Sequence, residues 1–359
     1  MGGSSSAAAG SGGGATASAG PASAVSSVSS PAPESVAPVA PGSAGEVTLV
    51  THDSFNMNKK LIADFEKQSG VKLTVLAQGD AGAMTNKLVL TKDNPLGDVV
   101  FGIDNTFASR ALDADVLQPY ASAAAANGAD KYAIDDSNRL TAVDYGDVCV
   151  NVDHTWFTNK KLAEPKSYDD LTKPEYKDLL VVQSPATSSP GLAFLLGTMS
   201  AKGSDGWQDY WRQLKANGVK VDAGWEDAYT VDFTGGSETG TRPLVVSYAS
   251  SPPSTVKDGK ATTGALLNTC FRQVEYTGVL AGAKNPDGAK KVVDFLLSKE
   301  FQQALPEQMY VYPVTAGVQL PAEWAKFAPV ADKPATVDPQ QIAENRQAWI
   351  GEWSDLMGQ

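Results

Sequence analysis

The sequence predicts an α/β fold of two lobes joined by a pair of crossover strands, and three observations carry that prediction. Apolar runs that read as strands alternate with helix-like segments from residue 46 onward, the pattern of a mostly parallel sheet covered on both faces. Two further strand segments, 143–152 (VDYGDVCVNV) and 272–280 (RQVEYTGVL), are far apart in sequence. Placed side by side they form a hinge, with a cleft between the lobes. Apolar residues make up 42% of 359, enough for two cores of ordinary size.

Taken in order, residues 1–45 are Gly, Ser, Ala, Pro and Val almost throughout. Such a segment cannot offset its ordering entropy, so it is expected to be a disordered tether. Exported lipoproteins carry such tethers after a lipidated cysteine, and Met1 is read as standing in that cysteine's place. EVTLVT (46–51) is a strand. Ser54 or Asn56 is expected to cap a helix running to about Ser69, with Gly70 as its stop. VKLTVLA (71–77) is the next strand, followed by a helix to Leu90. DVVFG (98–102) is the third strand, and a short helix covers 106–113. The loops after these strands, at 52–55, 79–82 and 102–105, are expected at one sheet edge, where ligands of such sheets sit.

In the middle section SYDDL (167–171) reads as a helix start and LLVVQSP (179–185) as a buried strand. SSPGLAFLLGTM (188–199) reads as a helix with Pro190 in its first turn, where the missing N–H costs nothing. PLVVSYASSP (243–252) is a strand ending in a polar loop. Residues 289–305 carry Val292, Val293, Leu296, Leu297 and Phe301 at helical spacing, which predicts one helix with an apolar stripe. The expected division is 46–144 with 272–320 as one lobe and 145–271 as the other. Residues 321–359 are expected to form a C-terminal helical segment packed on the lobes.

The formal charge is −12, which argues against nucleic acid, whose phosphates would be repelled. Two histidines, His52 and His154, and two distant cysteines give no metal-ligand spacing. No apolar run approaches the roughly 18 residues of a membrane-spanning helix. Cys149 and Cys270 fall on the two crossover strands. If those strands are neighbours a disulfide is feasible in an oxidising compartment; otherwise both are buried thiols.

The segments THDSF (51–55), GDVVFGIDN (97–105), VDYGDV (143–148), SSPGLAFLL (188–196), GWEDAY (224–229), LVVSYASSP (244–252), YVYPV (310–314) and RQAWIGEW (346–353) together resemble one family, the thiamine-binding proteins of bacterial ABC importers. GWEDAY followed by SYASSP is the most thiamine-like part. The resemblance implies a two-lobed solute-binding fold of the type II periplasmic kind, no catalysis, and capture of thiamine or a thiamine phosphate outside the cytoplasm. It also implies a membrane permease with an ATPase as partners, and the sequence shows no sign of an obligate oligomer, so a monomer is expected.

Onto matching positions the resemblance carries Trp225, with Tyr248, Ser250 and Ser251 at the strand end. Ser188 and Ser189 begin a helix, a natural anion site or simply its cap. Asp80 and Ala81 stand where the family has Asp-Gly. Tyr310 falls where it often has tryptophan, and His52 where it often has tyrosine. Asp53 and Asp104 read as structural caps before cation partners. Two other readings stand beside this one. A carrier of ferric ion, polyamine or phosphonate shares the fold, although iron carriers present adjacent tyrosines and here Tyr310 and Tyr312 flank a valine. A thiaminase-like enzyme would use Cys149 as nucleophile, and pairing of Cys149 with Cys270 would remove it.

Overall fold

A computed structural model describes residues 45–359. The expected tether, with Met1, lies outside the described residues except for its last residue, Gly45, which instead opens the first strand.

Three parallel strands begin the fold: β1 (Gly45–Thr51), β2 (Val71–Ala77) and β3 (Val99–Asp104). Between them run helices α1 (Lys59–Ser69) and α2 (Ala81–Leu90). The cap of α1 is Asn58, whose side chain accepts from Lys60 N, and not Ser54 or Asn56. Gly70 ends it at φ 71, the left-handed conformation glycine adopts without a Cβ penalty. A short helix, α3 (Ala108–Asp113), follows β3.

Next come β4 (Thr141–Asp153), β5 (Leu180–Gln183), α4 (Ser189–Lys202), α5 (Trp207–Ala216), β6 (Lys220–Asp222) and β7 (Leu244–Tyr248). SYDDL gives only a single 3-10 turn, Asp170–Thr172, before Pro174, because the residue ahead of a proline is driven out of the helical region. Then follow β8 (Phe271–Leu280), α6 (Pro286–Leu296), α7 (Lys299–Met309) and α8 (Pro339–Met357). The single helix expected over 289–305 is therefore two. Ser298 breaks it by leaving the helical conformation and capping α7 through Phe301 N.

The sheet runs β2-β1-β3-β8-β4-β7-β5-β6. It is more mixed than expected, because β8 is antiparallel to both β3 and β4, and β4 to β7. The two crossover strands are neighbours, with Phe271 opposite Val148 and Thr277 opposite Thr141. Cys149 and Cys270 form a disulfide between them, closing a sequence separation of 121 residues.

Apolar cores form on either side of this central pair. Val47, Leu49, Phe65, Phe101, Val292 and Phe301 pack on the β1–β3 side. Val148, Val246, Phe194, Trp207, Trp211 and Trp353 pack on the other. In the second core Trp211 is fully buried between Phe194 and Trp353, in edge-to-face contacts. Its indole N–H donates to Thr198 Oγ1 at 2.9 Å, so its polar end is satisfied. Helix α8 adds Ile342, Ile350, Trp353 and Met357 to this core, and its Arg346 reaches Ser109 Oγ at 2.6 Å.

Candidate ligand cavity

The carboxyl ends of β1, β2 and β3 point to one edge because the strands are parallel, and their loops meet there: Asp53 N donates to Gly79 O at 3.0 Å. A cavity of about 310 Å³ opens at this edge against the start of α4, the helical turn Trp225–Asp227 and the end of β7. That volume is at the small end of the roughly 300–1,000 Å³ of small-molecule sites. It suits a vitamin-sized solute better than a peptide.

Eight of the ten sequence-predicted residues line it: His52, Asp80, Ala81, Ser189, Trp225, Tyr248, Ser251 and Tyr310. Ser188 and Ser250 sit behind the wall. Ser188 Oγ accepts from Gly191 N at 3.3 Å as the cap of α4, and Ser250 Oγ donates to Tyr310 O at 2.6 Å.

Asp80 is committed to the backbone. Its Oδ1 accepts from Ala81 N at 2.6 Å and Ser189 N at 3.2 Å, and its Oδ2 from Trp225 N at 2.9 Å. Burial raises its pKa, and these hydrogen bonds pull against the rise. Gly82 allows the close approach, since a Cβ there would stand 2.7 Å from the Thr187 carbonyl carbon. Trp225 stacks on Tyr229 with ring centroids 4.8 Å apart. Its indole N–H donates to Ser247 Oγ at 2.9 Å, so it is not free to donate to a ligand. The exposed ring face is what it offers. Tyr248 donates from its hydroxyl to Gln273 Oε1 at 3.2 Å. Tyr310 closes α7 at φ 55 and stacks on Trp324.

His52 follows β1 and is 7% exposed. Its Nε2 lies 3.1 Å from Glu275 Oε1, a close ion contact off the line of a good hydrogen bond. Burial disfavours its charge, but Glu275, assisted by Asp80 and Asp53, outweighs this and raises its pKa. Asp104 acts as a cap, accepting from Thr106 Oγ1 at 2.8 Å and Phe107 N at 3.2 Å; burial pushes its carboxyl up to about 6.

Sequence reasoning missed Glu275, Gln273, Tyr229 and Ser254, all in the wall. Tyr229 was findable, being four residues after Trp225 and so on one helical face with it. Gln273 and Glu275 share a strand face by alternation, but nothing in the sequence says which face meets the cavity. Among the described residues, the lining contains no lysine or arginine, and no three metal-ligating side chains cluster. Tyr312 turns away from the cavity to bond Ala328 O and stack on Tyr145, so it forms no tyrosine pair with Tyr310. Cys149, held in its disulfide, supplies no thiolate.

The family model for bacterial extracellular solute-binding proteins matches residues 94–333. The thiamine-binding periplasmic protein of Salmonella typhimurium is 33% identical over 318 residues, covering 86% of this chain and 92% of that one. Its Escherichia coli counterpart is 32% identical over 320 residues, with the same coverage. The solved structure of a periplasmic thiamin binding protein superposes with a TM-score of 0.76 at 27% identity, covering 88% of this chain and 96% of the other.

Proposed function

From the premise that the chain belongs to the bacterial extracellular solute-binding proteins, which are two-lobed clamps and not enzymes, we propose that it captures thiamine outside the cytoplasm and delivers it to the permease and ATPase of an ABC importer. The observation that carries this reading is the character of the cavity wall. Trp225, Tyr229, Tyr248 and Tyr310 share the wall with Glu275, and among the described residues no lysine or arginine lines it. Thiamine has a flat aminopyrimidine and a permanently cationic thiazolium. Stacking contributes about 0.5–1.5 kcal/mol per aromatic pair, and cation–π contact about 0.5–2 kcal/mol. The thiamine-binding relatives, at about a third identity over most of their length, support the same ligand.

We assign 46–144 with 272–320 to one lobe and 145–271 to the other. Asp80 on one side and Ser189 and Trp225 on the other then meet across the cleft. A ligand that touches both walls binds the closed form better and shifts the population toward it. The closed form is what docks on the permease, and a lipid anchor ahead of the N-terminal segment would hold the protein at the membrane.

The test is calorimetry on protein unfolded and refolded to strip bound ligand. Saturable one-to-one thiamine binding, weakened at least about tenfold by Trp225→Ala, supports the reading. Silence toward thiamine with binding of ferric ion, spermidine or a phosphonate overturns the ligand and keeps the fold.

A further inference from the structure

His52 is the one side chain in the cavity wall able to carry a positive charge, among the described residues. Carboxylates face it from each neighbouring element. Glu275 approaches from β8 at 3.1 Å, with Asp80 from the β2–α2 loop, Asp53 from its own loop and Glu226 from the turn after Gly224. Behind Glu275 lie Asp144 on β4 and Asp104 on β3, and the Tyr248 hydroxyl faces the same group from β7. The imidazole is also fixed in place. Its ring packs on Phe101 at 5.6 Å, and Gly102, at φ +103, leaves room that a Cβ would fill 2.3 Å from its Cδ2.

On the reading of a cationic ligand, we propose that His52 is a resident counter-charge: protonated in the empty cavity, it neutralises Glu275, and an entering thiamine expels that proton and takes its place beside the carboxylate. One N–H bond of the imidazolium breaks, the proton leaves to solvent, and the neutral ring stays in the wall. Two cations beside one buried carboxylate repel each other strongly, so the permanent charge of the ligand evicts the removable one. Burial disfavours the charge on His52, but the surrounding carboxylates hold its pKa above the ordinary value. The carboxylates around it thus favour the protonated ring in the empty cavity more than water does.

The sign follows from linkage. Protons and ligand compete, so affinity rises with pH by up to about tenfold per unit and levels off once free His52 is neutral. The experiment is thiamine calorimetry on the stripped full chain, in phosphate and in Tris at one pH near 7, and then across about pH 5.5–8.5. The expected result is release approaching one proton per thiamine at the acid end, read from the buffer-dependent heat. His52→Gln should abolish that dependence and flatten the pH profile. Normal thiamine binding with buffer-independent heat overturns the inference and leaves the ligand reading intact. So does proton release that persists in His52→Gln, which would assign the proton to Asp80 or Asp104. No thiamine binding in any buffer overturns the ligand reading, and this inference with it.

Discussion

The carboxylate of Asp80 accepts a hydrogen bond from the backbone N–H of Trp225 at 2.9 Å, across 145 residues of sequence. The same carboxylate takes Ser189 N and Ala81 N, so one side chain ties the start of α2 to the far wall of the cavity. Hydrogen bonds to charged groups contribute about 1.5–3 kcal/mol each. Asp80→Asn keeps the shape but turns an NH2 toward a backbone donor. It should lower unfolding free energy by about 2–4 kcal/mol in urea and weaken thiamine binding by about 10–100-fold. Unchanged affinity would mean that the two walls close without this clasp.

The Cys149–Cys270 bond closes a separation of 121 residues between the strands that link the two cores. Chain entropy assigns such a loop about 5 kcal/mol, and measured values typically run about 2–5. Cys149→Ser with Cys270→Ser should cost about 3–5 kcal/mol while one-to-one ligand stoichiometry survives. Thiol labelling of the denatured, unreduced protein should find no free thiol. Two labelled thiols would refute the bridge.

Gly102 has φ +103, and a Cβ there would collide with the His52 ring. Gly102→Ala should therefore destabilise the fold by about 1–3 kcal/mol through backbone strain alone. It should also displace the imidazole from Glu275. Histidine ring resonances followed through a pH titration would move toward the unperturbed value if the contact at 3.1 Å is lost.

Much of this architecture is legible in the sequence because local signals and packing agree. The runs at 46–51 and 71–77 are strands because apolar and β-branched residues fill them, and Gly70 stops the helix between them. The loops after β1 and β2 reach the cavity because parallel strands share an edge. What was illegible depends on register. Alternation puts Gln273 and Glu275 on one face of β8, but which face meets the cavity is set by pairing with β3 and β4, brought in from distant sequence. Asp80 was found as a site residue, but its use as a clasp depends on Ser189 N and Trp225 N arriving from distant segments. The helix break at Ser298 was missed because the apolar stripe continues in phase across it, while the serine withdraws to cap α7.

Asp144 is wholly buried, and no N–H or hydroxyl donor reaches either of its oxygens; its polar neighbour is Glu275. Burial first, and then the Glu275 charge and hydrogen bond, hold its pKa well above the ordinary carboxylate range. The folded protein therefore holds this proton to higher pH than the unfolded chain, which loses it near pH 4. A group whose pKa is raised by folding contributes stability that is complete at low pH and is lost as pH rises toward its folded pKa. Across that window the cost is up to about 1.4 kcal/mol per pH unit. Asp144→Asn keeps a donor for Glu275 and cannot ionise. Thermal unfolding followed upward from about pH 4 should show the variant gaining on the native protein as pH rises toward the folded pKa of Asp144. A variant that instead loses ground to the native protein as pH rises would mean that Asp144 serves as a charged partner.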